Sequence, residues 1–189
     1  MERMVWLGLG LALVLVSSVL VFNRLVQLRN RARASWSDID VQLKRRHDLV
    51  GNLVEAVKGY AHHERQVLEK VAAARSGAED ARARGRPGPA GEAEEALSGQ
   101  MGKLFALVEA YPDLKASGQF RELARALTEV EDDLQNARRY YNAVVRDLNT
   151  RIQSFPDLVI ARPFGFREWE FFSLQDRREA AAPRVELDR

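Results

Sequence analysis

Residues 120–152, FRELARALTEVEDDLQNARRYYNAVVRDLNTRI, contain the pattern that decides the fold of this chain. Large apolar side chains and alanine return every three or four positions, which places them on one face of an α-helix. The other face mixes acids and bases, which is typical of a solvated surface. Because Phe155-Pro156 ends the pattern, the sequence predicts one helix of about 35 residues. The apolar face comprises Phe120, Leu123, Leu127, Val130, Leu134, Ala137, Tyr141, Val144, Leu148 and Ile152.

A similar stripe runs upstream from Leu25 to Ala74 and predicts an amphipathic helix of about 50 residues. Because the stripe is broader than a coiled-coil seam, it favours packing in a helical bundle. Arg46 interrupts the stripe, and we interpret it as a side chain that snorkels or pairs at the rim of the bundle. The sequence alone leaves open whether this helix is continuous with the apolar segment that precedes it.

Two segments lie between these helices. A shorter apolar pattern predicts a second helix over residues 93–110, which Pro112 ends. Residues 76–92, SGAEDARARGRPGPAGE, contain no large apolar side chain and include two prolines. We therefore interpret residues 76–92 as an exposed, flexible loop.

Residues 4–22, MVWLGLGLALVLVSSVLVF, carry no charged side chain. At 1.5 Å per residue this stretch spans about 28 Å, close to the hydrocarbon thickness of a bilayer. A cleaved signal peptide usually has a shorter apolar region and a small-x-small site at its end, which is missing here. A buried core helix is rarely apolar on every face. The sequence therefore predicts that residues 1–23 form a single-pass transmembrane anchor.

Positive charge after the anchor predicts its orientation. Four arginines follow it before the first acid, Asp38, and only Glu2 and Arg3 precede it. The positive-inside rule then places the C-terminal domain in the cytoplasm and the anchor in the inner membrane. The same arginines can lie against anionic lipid headgroups. This membrane flank consists of Arg24, Arg29, Arg31 and Arg33.

Composition and motifs point away from several classes of chemistry. The 29 basic and 27 acidic residues nearly balance and are interspersed, so we expect no nucleic-acid partner. The absence of cysteine excludes disulfides and thiolate metal sites. His47, His62 and His63 form no zinc-protease or di-iron motif, and the adjacent pair His62-His63 is interpreted as solvent-facing. We predict no catalytic, cofactor-binding or metal-binding residues and hence no enzyme activity.

The C-terminal part is less regular. The sequence predicts a turn around Gly165. Trp169, Phe171 and Phe172 can either plug the end of a core or form an exposed docking patch, and we favour the core. Residues 177–189 are charged and alanine-rich, which predicts a frayed tail.

Four stretches of the chain carry a family resemblance, and they are ASWSDIDVQLKRRHDL (34–49), NLVEAVKGYA (52–61) with Glu64, LFALVEAYPDLKA (104–116) and ARRYYNAVVRDLNTRIQSFP (137–156). In this order, and over nearly the whole chain past the predicted anchor, they resemble the LemA family of bacterial membrane proteins. One departure is Gly51, where the family usually has proline. The resemblance implies an antiparallel helical bundle over residues 24–176 with a cytoplasmic location and no established catalytic residues.

We therefore expect an all-α protein with an N-terminal transmembrane helix and a bundle of long helices, acting as a scaffold or adaptor without catalysis. Its expected partners are the bilayer and another membrane or cytoplasmic protein. An exposed aromatic patch around Trp36, Tyr140 and Trp169 is the predicted interaction surface. The alternative hypothesis is a membrane-shaping or lipid-sensing protein that assembles into homo-oligomers through its long helices.

Overall fold

The structure, a computed structural model, describes residues 1–60 and 64–173. Every regular element in these ranges is helical, which confirms the predicted all-α class. The predicted tail over residues 177–189 and the pair His62-His63 lie outside the described residues. The helices are α1 (Glu2–Lys58), α2 (Arg65–Ala83), α3 (Pro87–Val108), α4 (Pro112–Ala116), α5 (Gly118–Gln153) and α6 (Asp157–Ala161).

The chain forms two compact units, to which α1 and α5 both contribute. The first unit contains Met1–Asp40 and Gln135–Phe171, and the second contains Val41–Leu134 and Phe172–Arg189. Helix α1 runs without a break through the apolar segment and the arginine flank. This answers the question of continuity that the sequence left open. Where the bilayer boundary falls on α1 stays a prediction.

In the first unit, α1 and α5 run antiparallel. The Trp36 ring of α1 lies 5.7 Å from the Tyr141 ring of α5. Arg29, seven residues before Trp36, lines the same opening as Leu148, which is seven residues after Tyr141. Moving backward along α1 therefore corresponds to moving forward along α5. Residues that lie three or four positions apart on each helix supply the core, as the periodicity predicts. The buried apolar side chains are Leu25, Leu28, Ala32 and Ile39 on α1 and Tyr141, Val144, Val145, Leu148 and Ile152 on α5.

After α5 the chain reverses through α6 and the predicted turn at Gly165. The Arg151 guanidinium donates to the Asp157 carboxylate at 2.8 Å, which holds the start of α6 to the end of α5. Gly165 has a φ of +71°, and the Phe166 amide donates to the Ala161 carbonyl at 3.0 Å. A positive φ of this kind favours glycine, so the turn predicted at Gly165 is confirmed.

In the second unit, α2 and α3 form an antiparallel hairpin, and the predicted loop over residues 76–92 is wrong. Residues 76–83 complete α2, and residues 87–92 begin α3. Gly85, with a φ of +66°, makes the turn, and Pro87 lies in the first turn of α3, where proline is well tolerated. Small side chains make this close helix contact: Ala78, Ala81 and Ala90 are buried.

The predicted first helix is also too long. Helix α1 ends at Lys58, glycine and tyrosine follow in a turn, and a separate helix, α2, begins at Arg65. The low helix propensity of Gly59 at this point accounts for an end that the apolar stripe concealed. The second predicted helix begins six residues earlier than expected, as α3, whereas α5 spans 118–153, in agreement with the prediction.

Candidate membrane-facing surface and buried charge cluster

The N-terminal part of α1 is an exposed apolar cylinder. Within the described residues, α1 is the helix long and apolar enough to cross a membrane, with a window of mean hydropathy 2.5 that is 0% buried. Large apolar side chains such as Trp6, Leu13 and Leu20 are more than 60% exposed. Such a surface is costly in water and favourable in a bilayer.

Aromatic rings collect where this apolar segment ends. The Phe22 ring makes edge contacts with Phe164 at 5.1 Å and Phe166 at 5.8 Å. One side of Phe166 also carries the Arg29 guanidinium, 5.1 Å from its ring centroid. Because Phe22 and Arg29 lie seven positions apart on one face of α1, a single ring can contact both. The Gly165 turn therefore brings Phe164 and Phe166 back to the end of the apolar segment of α1.

Two side chains of α5 fix the irregular segment that follows the turn. Asn149 accepts a hydrogen bond from the Trp169 amide and donates one to the Trp169 carbonyl, both at 2.9 Å. The buried Tyr141 hydroxyl donates to the Glu170 carbonyl at 2.8 Å. Burial raises the pKa of Tyr141 above its ordinary value, and the negative charge of Glu170 adds a smaller effect in the same direction. Three hydrogen bonds from α5 side chains therefore hold the backbone of Trp169 and Glu170 in place.

The four flanking arginines do not share one environment. Arg24, Arg31 and Arg33 are exposed, whereas Arg29 is half-buried through its contact with Phe166. The predicted contact of this flank with lipid headgroups stays a prediction.

The predicted aromatic interaction surface is only partly exposed. Tyr140 is 56% exposed, while Trp36 is half-buried against Tyr141 and Trp169 is half-buried beside its Asn149 clamp. All three residues belong to the first unit. That they bind a partner stays a prediction.

The C-terminal aromatic residues divide between core and surface. Phe172 is fully buried, as expected for a core plug, Trp169 is half-buried and Phe171 is 45% exposed. The backbone is close to α3 at this point, since a Cβ on Gly91 would lie 2.5 Å from the Ser173 carbonyl oxygen. Glycine is therefore required at position 91 by close approach, not by its φ angle.

A buried cluster of charged groups joins α1 to α3 in the second unit. Arg46 donates to Glu94 Oε2 at 2.6 Å and to the Ser98 hydroxyl at 2.7 Å. Arg46 also lies 3.2 Å from the Glu131 carboxylate of α5, and His47 Nε2 lies 2.5 Å from Glu94 Oε1. The interpretation of Arg46 as a rim residue is wrong, because it is only 5% exposed and Glu94 is fully buried.

Chemically, this cluster is a closed ion pair. Both Glu94 oxygens are occupied, and because a carboxylate only accepts hydrogen bonds, His47 Nε2 carries the hydrogen. The Nδ1 atom of His47 is buried and has no hydrogen-bond partner among the residues that the structure describes. Arg75 donates a hydrogen bond to the His47 carbonyl at 2.7 Å. The described residues contain no group of three or more His, Cys, Asp or Glu side chains that could hold a metal ion. The arrangement is suited to fixing helices, because Arg46 and Glu94 neutralise each other away from water.

This cluster was difficult to predict from the sequence. Arg46 and Glu94 are separated by 48 residues, and no local pattern pairs them. The one usable signal was a charged residue on an apolar stripe, which requires a partner when it is buried.

Comparison with known proteins agrees with this architecture. The sequence model of the LemA family matches residues 35–187, which is most of the chain. The chain belongs to the LemA family. The matched region begins inside α1, after the arginine flank, and includes the buried cluster and the clamped segment.

Named relatives of this LemA-family chain are distant. It is 25% identical over 190 residues to magnetosome protein MamQ of Magnetospirillum gryphiswaldense, a match that covers 87% of the chain and 69% of the relative. MamQ 2 of Paramagnetospirillum magneticum is 27% identical over 177 residues, covering 80% and 64%. Protein LemA of Metamycoplasma hominis is 26% identical over 133 residues, covering 70% and 60%. The chain therefore spans about two thirds of the length of these relatives.

Family membership and the exposed apolar helix together suggest a membrane-associated helical protein.

Proposed function

We propose that this chain is a membrane-anchored scaffold or adaptor that catalyses no reaction of its own. Residues 4–22 cross the inner membrane once, and the folded part lies in the cytoplasm, where it binds another membrane or cytoplasmic protein. The observation that carries the proposal is the unbroken α1, whose exposed apolar segment continues directly into buried residues such as Leu25 and Leu28. No linker separates the exposed apolar segment of α1 from its buried part, which suits a protein that holds a surface close to the membrane.

The orientation rests on the arginine flank, because positive charge on one side of a span retains that side in the cytoplasm. The natural chain contains no cysteine, so a single introduced cysteine is a clean probe. Thr150 is exposed on α5. We expect Thr150→Cys to resist a membrane-impermeant maleimide in intact cells and to react after the inner membrane is opened. Labelling in intact cells would reverse the proposed orientation.

The partner surface is assigned to the exposed face of α5 around Tyr140. Asn136 and Ala143, one helical turn before and after Tyr140, are also exposed. The Tyr140 ring is therefore flanked by one polar and one small side chain. Exposed tyrosine in such surroundings is common at the centre of protein interfaces, where it contributes apolar area and a hydroxyl.

Position-specific photo-crosslinking in intact membranes tests this surface. A photo-reactive phenylalanine analogue replaces Tyr140 in one version of the full chain and the exposed Arg146 in the control, which points about 120° away on the same helix. The adaptor proposal expects one protein captured at position 140 and not at position 146. Equal capture at both positions, or capture at neither, would refute the assignment of the partner surface to the region around Tyr140.

Self-assembly on the membrane is the second candidate function, and the arginine flank beside the exposed Phe164 ring favours it. In that case the same crosslinking yields dimers of this chain at position 140 and no other protein. That outcome would replace the adaptor proposal with a membrane-shaping or lipid-sensing one.

A further inference from the structure

Three arginines surround one small opening in the first unit, close to the end of the apolar segment. Arg29 and Arg33 come from successive turns of α1, and Arg167 comes from the segment after the Gly165 turn. The opening has a volume of about 200 Å³ and is walled by Phe166 and Trp169. Within residues 1–60 and 64–173, no carboxylate lines this opening and none of these three arginines forms an ion pair.

Arg29 is held in place before any ligand arrives. Its guanidinium lies over the Phe166 ring at 5.1 Å, and its Nε atom is buried without a hydrogen-bond partner in the described residues. A buried donor without an acceptor is unfavourable, so an oxygen atom from an incoming anion would satisfy it. Phe166 is itself fixed because the Asn149 clamp and the Gly165 turn hold its segment.

The opening lies at the depth of the lipid headgroups if residues 4–22 span the bilayer. Arg29 follows Phe22 by seven residues and Arg33 by eleven, which corresponds to about 10 and 16 Å along the helix axis. The headgroup region extends about 5 to 8 Å beyond the hydrocarbon core on each side, and arginine side chains can reach several ångströms back toward it. Phe164, 62% exposed and in contact with Phe22, lies at the boundary where aromatic rings are common.

We infer that this arginine site binds the phosphate of an anionic phospholipid in the leaflet that faces the folded part of the chain. Three positive charges without carboxylate partners favour a lipid with net negative charge over a zwitterionic one. The planar guanidinium groups can each donate two hydrogen bonds to phosphate oxygens. The inference rests on the proposed anchoring through residues 4–22, and it goes beyond the adaptor function because it assigns a specific lipid ligand.

Native mass spectrometry of the full-length protein in detergent tests the site. The protein is mixed with equal amounts of phosphatidylglycerol and phosphatidylcholine of distinguishable mass, and the lipid adducts are counted. The test variant is Arg33→Gln with Arg167→Gln, since both side chains are exposed and their removal leaves the core untouched. The matched control is Arg24→Gln with Arg31→Gln, which removes the same charge from exposed positions that do not line the opening.

We expect wild type and the control to retain one preferred phosphatidylglycerol adduct. The test variant should lose about fivefold in preference for each arginine removed. An equal loss in the control variant, or no lipid preference in wild type, would overturn the inference. If free glycerol phosphate displaced the bound phosphatidylglycerol as effectively as added lipid, the site would recognise soluble phosphate instead of lipid. Alkaline extraction of membranes with the same proteins separates these results from failure of anchoring, because a protein released from the membrane would refute residues 4–22 as a span.

Discussion

Replacing Glu94 with glutamine tests how strongly the buried charge cluster holds the second unit together. The substitution keeps the shape of the side chain and removes only its charge. Arg46, with a side chain 7% exposed, then loses its closest counter-charge. Glutamine also offers one acceptor oxygen where Glu94 offers two, so Arg46 and His47 compete for it.

The expected loss follows from the geometry. Removing one partner of a buried ion pair costs about 3 to 5 kcal/mol because an uncompensated charge stays buried. Glu131 remains 3.2 Å from Arg46, but its side chain is 38% exposed, so water weakens that attraction. We therefore expect about 3 kcal/mol, near the lower limit. For a chain of this size that corresponds to a melting temperature lower by about 6 to 12 °C.

Thermal unfolding of the full-length protein in detergent, followed by far-ultraviolet circular dichroism, measures this shift. The matched control is Glu92→Gln, an exposed carboxylate on the same helix for which we expect a change within about 0.5 kcal/mol. Adding Arg46→Met to Glu94→Gln removes the stranded charge and should recover part of the lost stability. A drop for Glu94→Gln no larger than the control's, or no recovery in the double variant, would refute the reasoning.

Three further predictions concern the first unit. Gly165→Ala should lower the free energy of unfolding by about 1 to 2 kcal/mol through the positive φ alone, since no described atom lies within 4 Å of an added Cβ. The helical Gly118→Ala is the control and should cause no such loss; thermal unfolding compares the two variants. Asn149→Leu leaves the Trp169 backbone without its two partners and should cost about 2 kcal/mol, with a red shift in tryptophan emission as the check. Tyr141 has a raised pKa, so the stability it contributes is complete below about pH 10 and is lost as the pH rises further. The free energy of unfolding, measured as a function of pH, should therefore decrease more steeply above pH 10 in wild type than in Tyr141→Phe. Parallel curves for the two proteins would contradict this prediction.

Large apolar side chains at helical spacing predicted helical structure correctly, although the stripe from Leu25 to Ala74 concealed the break between α1 and α2. This rule located α5 almost to the residue, because its buried face is built from Leu, Val, Phe and Tyr. It failed over residues 76–92, where the buried face is built from alanine and glycine, whose burial leaves no large apolar side chain in the sequence. Small residues there reflect close helix packing, and composition alone cannot separate that from a loop.

The arginine site could be predicted only in part, for a similar reason. The flank of four arginines is visible along α1, but which of them acts together depends on the Gly165 turn. That turn returns Arg167 to the level of Arg29, across a sequence separation that periodicity does not address. The turn itself was predictable from glycine, whereas its destination depends on the Asn149 clamp.

The buried pair of Arg46 and Glu94 has a further consequence for how the second unit reaches one arrangement. Broad apolar stripes tolerate a shift of one helical turn, because leucine and valine pack almost equally well against several neighbours. A shift of α3 by one turn relative to α1 would move Glu94 by about 5.4 Å. Glu94 would then be buried away from Arg46 and His47, and Arg46 would retain only the partly exposed Glu131 as a counter-charge. The cost of that error, about 3 to 5 kcal/mol, is a large share of the stability of an ordinary domain. An apolar pair at these positions could be equally stable yet would not penalise the shifted packing, so we interpret the cluster as the element that fixes helix register.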